Sequence, residues 1–200
     1  MIPINLKKKL DSECRSFVVG KGKRTGHEHL IGYRATDGKR LGYSTSGRAD
    51  AVAIPHSMAA YAKDKRGRLV IHHNHPRGTS LSREDLFNLS RLPGTLEVHA
   101  HGHEKQWYLA ISRRERQFES LLLEADGAFD RCLWQIGYAA VPQELTNHLF
   151  NLAFSETGAI RYEHRLDKEL VSKYNWIPVM TRDVLSQAVV QAVKAERSRR

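Results

Sequence analysis

The sequence predicts an α/β fold over roughly its first 112 residues, followed by a mostly helical C-terminal part. Three observations carry this. Up to Ser112, segments with strand patterning alternate with segments of helical patterning. Two strand pairs are joined by short turns, the clearer of them at Asp37-Gly38, a strong hairpin signal. After Ser112 the apolar residues fall at helical spacing.

Residues 1–25 are charged, and about Lys7 to Phe17 suits an amphipathic helix. "EHLIGYRA" reads as a strand, "TDGKR" as its turn and "LGYSTSG" as the returning strand. "IPHSMAAYAKDK" reads as a short helix with Pro55 near its start. "GRLVIHHNH" reads as a buried strand closed by Pro76, and "SREDLFNLSRL" as the helix after it. "TLEVHAH" and "QWYLAIS" pair across "GHEK". Beyond Ser112, Phe118, Leu121, Leu122 and Ala125 mark one helix. "PQELTNHLFNLAFSETG" marks a second, with Pro142 near its start and Gly158 past its end. "TRDVLSQAVVQAVKAERSRR" marks a third, capped by Thr181. The expected division is a basic N-terminal segment at 1–25, an α/β domain at 26–112 and a helical extension at 113–200.

The apolar share of 40% over 200 residues is enough for a hydrophobic core without staples. The net charge of +10 attracts nucleic acid, an anionic surface or an acidic protein, and equally suits a plain solvated basic surface. Cys14 and Cys132 are too few for a disulfide framework or a cysteine-rich zinc site. No apolar run has the length of a membrane span or of a signal peptide core, so a soluble, cytoplasmic protein without membrane association is expected. Trp107, Tyr108, Trp134 and Trp176 form no stacking platform and suit a core.

The chemistry concentrates in "VIHHNHPRGTSLSREDL", residues 70–86. Side chains two apart on a strand share a face, so His73 and His75 point together, while His72 and Asn74 point the other way. Such a pair can grip one metal, and Asp85, ten positions past His75 across a turn favoured by Pro76 and Gly78, is an oxygen ligand within reach. The plainer reading is a polar strand end followed by a capped helix, because Ser82 with Asp85 three later resembles a capping box. His99, His101 and His103 also alternate and offer a second metal row or a polar strand end.

"HHNHPRGTSLSRED" resembles the His-x-His-Pro…Ser-x-x-Asp signature of JAMM/MPN (JAB-domain) metalloproteases, and its His-Asn-His-Pro form is most similar to the RadC-like branch and to related domains of phage and bacterial toxin proteins. The resemblance spans about Gly26 to Ser112. It implies a three-layer, deaminase-like mixed sheet with flanking helices. It implies His73, His75 and Asp85 as zinc ligands, Glu28 as general base for the metal-activated water, and Ser82 as donor to the oxyanion. The implied substrate is a peptide or protein, including ubiquitin-like conjugates, cut at a peptide or isopeptide bond; the RadC-like alternative is a DNA-associated protein that binds or cleaves nucleic acid with the same metal site. The chain departs from the pattern in two places. The interval from His75 to Asp85 is one residue shorter than usual, with Glu84 the weaker substitute, and Arg77 stands where RadC-like sequences often have serine.

Overall fold

A computed structural model describes residues 2–113 and 117–199. The first helix, α1 (Ile4–Thr25), is longer than the expected Lys7–Phe17. It is followed by β1 (His29–Arg34), β2 (Arg40–Thr45), α2 (His56–Lys63), β3 (Leu69–His75), α3 (Arg83–Arg91), β4 (Thr95–Gly102) and β5 (Trp107–Ser112). The remainder holds α4 (Phe118–Ile136), α5 (Gln143–Glu156), β6 (Ile160–Arg165), α6 (Lys168–Trp176) and α7 (Val179–Ser198). Among the described residues, the six strands form one mixed sheet in the order β2-β1-β3-β4-β5-β6.

β3 is the centre of this sheet. It pairs antiparallel with β1 and parallel with β4, and all seven of its residues are buried. The parallel pair requires a crossover, which α3 supplies. Successive side chains of β3 serve opposite faces. Val70 packs with Leu10, Cys14 and Val18 of α1, which covers one face. Leu69 and Ile71 pack on the other face with residues of α2, α3, α4, α5 and α7. The result is three layers: α1, the sheet, and a helical layer opposite.

α1 can pass close over the sheet because of Gly22. A Cβ there would stand 2.2 Å from Asn74 Nδ2 and 2.6 Å from His103 Nε2. This close approach also explains why the helix runs through a residue of poor helix propensity.

The C-terminal part departs from the expected extension in three ways. It contributes β6, which pairs antiparallel with β5 and completes the sheet. It contributes α6, capped by Asp167, whose side chain accepts from Leu170 N–H at 2.8 Å. Its last helix begins at Val179 after Pro178, so Thr181 is a helical residue and not the cap. The sheet and the large core both cross the boundary expected after Ser112, and Leu121, Phe129, Phe150 and Val189 bury in the same cluster as Ile71. Residues 114–116 of that boundary, and Arg200 of the basic ending, lie outside the described residues. Trp134 and Trp176, expected in the core, are 71% and 85% exposed. Among the described residues no helix is long and apolar enough to cross a membrane.

Candidate metal centre

The end of β3, a turn and the start of α3 build the site. Leu69 and Ile71 anchor the strand in the core, and the period of two then carries His73 and His75 to the same face. Gly78 closes the turn: its N–H donates to the His75 carbonyl at 2.9 Å, and it sits in the left-handed region at φ +69. Tyr108 of β5 donates its hydroxyl to the Gly78 carbonyl at 2.8 Å. Asn151 of α5 donates to Ser80 Oγ and to the Leu81 carbonyl, both at 2.9 Å. The loop that aims the site is therefore held from the sheet and from the C-terminal part together.

Ser82 caps α3 in a full capping box. Asp85 N–H donates to Ser82 Oγ at 3.2 Å, and Ser82 N–H donates back to Asp85 Oδ2 at 2.7 Å. Ser82 Oγ also donates to Asp85 Oδ2 at 2.8 Å. With Oδ2 held this way, Asp85 Oδ1 stands 3.3 Å from His73 Nε2. The cap and the ligand readings of Asp85 are one arrangement, and the short interval from His75 still delivers Asp85 to the histidines. Glu84 is exposed and pairs with Arg91 at 3.2 Å.

His73, His75 and Asp85 each present one donor atom within 4.8 Å of the others, so this group can hold a metal ion. The Nε2 atoms of His73 and His75 are 2.8 Å apart, and Asp85 Oδ2 is 3.7 Å from His75 Nε2. A tetrahedral site with bonds of about 2.0–2.1 Å has edges of roughly 3.3 Å, and the observed separations bracket that value. The tautomer of His75 also fits. Its Nδ1 lies 2.8 Å from the Thr79 carbonyl, an obligate acceptor, so the proton is on Nδ1 and the lone pair at Nε2 faces the centre. Two imidazole nitrogens and a carboxylate oxygen form a donor set suited to zinc and similar ions.

The electrostatics centre on the same groups. Burial, helped by His73, pushes His75 down to about 4, so it is neutral at physiological pH. Burial also penalises a charged His73, but the Asp85 carboxylate and Glu28 outweigh it and raise its pKa. Asp85 is held well below the usual carboxylate range, because the two imidazoles and the Ser82 N–H overcome its burial.

Glu28 lies immediately before β1, not on a strand, and its Oε1 is 3.8 Å from His75 Nε2. Burial, with Asp85 and Asp50 adding to it, pushes Glu28 up to about 7 against the pull of His73. Its backbone is pinned on both sides: Glu28 N–H donates to the Arg48 carbonyl at 2.7 Å, and Thr45 Oγ1 donates to the Glu28 carbonyl at 2.9 Å. Asn74 adds a clamp that the sequence reading missed. Its Oδ1 accepts from His29 N–H at 2.8 Å and its Nδ2 donates to the His27 carbonyl at 3.1 Å, so one side chain holds both neighbours of Glu28. Glu28, His73, His75, Ser82 and Asp85 line one cavity of about 320 Å3.

The opposite face of β3 holds a second histidine group. His72, which points away from His73 and His75, sits beside His99 in the parallel β3–β4 register and joins His99 and His101. One nitrogen of each lies within 4.8 Å of the others, so this group too can hold a metal ion. Burial and His99 push His72 down to about 3. His103, the third member of the alternating row, points instead to Asn74 Nδ2 at 3.2 Å. The whole arrangement stands without a matching relative: no family model, no curated protein and no solved structure matches the chain.

Proposed function

We propose that the protein is a zinc-dependent hydrolase of JAMM/MPN type that cleaves a peptide or isopeptide bond. The observation that carries this reading is Glu28: a buried carboxyl with its pKa near 7, 3.8 Å from a neutral histidine of a His2Asp donor set, in one shared cavity. His73, His75 and Asp85 would hold the zinc. When bound, zinc supplies Lewis acidity, lowering the pKa of a water to about 7 and polarising a carbonyl.

The chain's own residues supply the rest. Glu28 has the affinity needed to take a proton at neutral pH and return it to a leaving amine, since a general base works best with a pKa near the working pH. Asp85 holds its charge across that range. The Ser82 hydroxyl borders the same cavity, but its proton is given to Asp85 Oδ2. Donation to an oxyanion requires Ser82 to exchange that partner, after which it would favour the charge that develops on a carbonyl oxygen.

The test combines metal analysis with a cleavage panel of peptides, isopeptide-linked conjugates and nucleic acids. Expected are zinc binding at the Glu28 cavity lost in His73→Ala/His75→Ala, read as one equivalent fewer than in the unaltered protein, and hydrolysis of an amide substrate abolished in Glu28→Gln with that zinc retained. Protein that takes up no zinc would sink the reading. The net charge of +10 favours a second reading, in which the same centre acts on nucleic acid. Cleavage of nucleic acid but of no amide, with affinity falling steeply with salt, would select it.

A further inference from the structure

We propose that His72, His99 and His101 form a second divalent-metal site, separate from the first and on the opposite face of the sheet, that fastens α1 onto β3 and β4. The donor set is three imidazoles, which suits zinc, cobalt, nickel or copper. The inference does not depend on the reaction assigned to the first centre.

The surroundings are those of a metal-binding histidine group. Asp11 of α1 places Oδ1 at 3.1 Å from His72 Nε2. A carboxylate only accepts, so the His72 proton is on Nε2 and its lone pair is at Nδ1. Glu97 places Oε2 at 3.0 Å from His99 Nε2, and the Trp107 N–H donates to His99 Nδ1 at 3.3 Å. The His99 lone pair is therefore at Nδ1. Two of the three imidazoles thus carry their proton on the nitrogen that faces a carboxylate, the arrangement that orients and strengthens histidine ligands, while their lone pairs at Nδ1 meet His101 Nε2 and the Trp107 N–H, contacts that a metal would replace. The carboxylates are themselves fixed: Lys7 is 2.8 Å from each, and the Tyr33 hydroxyl donates to Asp11 at 2.6 Å.

His101 completes the donor group. His101 is buried, its Nε2 lies 3.0 Å from His72 Nδ1, and its Nδ1 is buried with no hydrogen-bond partner among the described residues. With the His72 lone pair at Nδ1, the contact with His72 is a hydrogen bond from His101 Nε2–H, which a metal held between the two nitrogens would replace. Next to the three rings lies a cavity of about 210 Å3, bordered also by Asp11, Arg15 and Trp107. That space matters because the rings are stacked, His72 on His99 at 4.2 Å between centroids. A metal lies in the plane of each imidazole it binds, so the His99 ring must tilt out of the stack to join. The cavity borders that ring, and the tilt would give up its contact with Trp107.

Because Asp11 belongs to α1, metal binding here fixes the helix through His72. The site lies away from the Glu28 cavity, with the backbone of β3 between them. Its role is to hold structure.

The experiment titrates chelator-treated protein with Co2+, followed by visible absorption and by metal analysis after desalting. The full chain is expected to take two equivalents. His73→Ala/His75→Ala, and independently Asp85→Asn, should each retain one, with α1 amides still gaining protection from hydrogen exchange on metal addition. Asp11→Asn in the His73→Ala/His75→Ala background should weaken the remaining equivalent 10- to 100-fold. His99→Gln/His101→Gln should retain the other equivalent. A folded His73→Ala/His75→Ala or Asp85→Asn variant that binds no Co2+ overturns the proposal and leaves a hydrogen-bonded histidine stack. Retention in those variants with complete loss in His99→Gln/His101→Gln would support this site while removing the first.

Discussion

At the scale of single residues, Glu28 connects burial to stability. Its carboxyl titrates at about 7 in place of the ordinary 4.5. Between those values the folded state keeps a proton that the unfolded chain has released. Stability therefore falls as pH rises through this window, and the cost is fully present above about pH 7. In chelator-treated protein, Glu28→Gln should raise stability at pH 8 by about 3 kcal/mol and leave it nearly unchanged at pH 4. Urea melts of both proteins at the two pH values check this; equal stabilities at pH 8 would mean that Glu28 is solvated. A carboxyl kept at a cost to the fold is what a catalytic base looks like energetically. Asn74 acts on the same group through the backbone. If the protein is the proposed hydrolase, Asn74→Ala should keep zinc at His73, His75 and Asp85 while turnover falls by about 10- to 100-fold, because Glu28 loses its fixed position. Full activity in that variant would reduce Asn74 to a sheet residue.

At the scale of elements, how legible each piece was follows from how local its signal is. The β3-turn-α3 unit could be read directly, because the period of two places His73 with His75 and the capping pattern places Asp85. Parity also put His72 on the far face. What parity could not supply was its neighbour, since the pairing of His72 with His99 depends on β4 lying parallel beside β3. β6 went unread although Ile160, Tyr162 and His164 alternate with Arg161, Glu163 and Arg165, because a polar strand at a sheet edge has little apolar signal. The length of α1 was underestimated for a related reason: Gly20 and Gly22 look like helix breakers until the close approach to Asn74 is known. The two glycines make a paired test. Gly22→Ala should destabilise by about 1–3 kcal/mol through overpacking against Asn74. Gly20→Ala, with nothing within 4 Å of its added Cβ, should stabilise by up to about 1 kcal/mol. Chemical denaturation of both variants reads the difference, and equal effects would contradict the contact.

At the scale of the whole molecule, the helical C-terminal part is structural to the site. Tyr162 of β6 meets Ser80 Oγ at 2.6 Å, and Asn151 of α5 holds Ser80 and Leu81, so the loop between His75 and Asp85 leans on residues far along the chain. A chain ended at Ser112 exposes the apolar face of the sheet that α4, α5 and α7 cover. It should show no cooperative thermal unfolding by circular dichroism, whereas the full chain should; a cooperative melt of residues 1–112 would establish an independent domain there.

The position of β3 has one more consequence. Odd-numbered residues of this strand face the Glu28 cavity and even-numbered ones face α1, so His73 and His72 serve opposite sides from adjacent positions. Inserting or deleting one residue in the strand would exchange the two sets of side chains. Both histidine groups would be lost in one event, and an apolar core row would be turned toward the wrong layer. A change of two residues would preserve the parity. The two faces are therefore inherited together: neither group can be shifted along the strand by one place while the other stays intact.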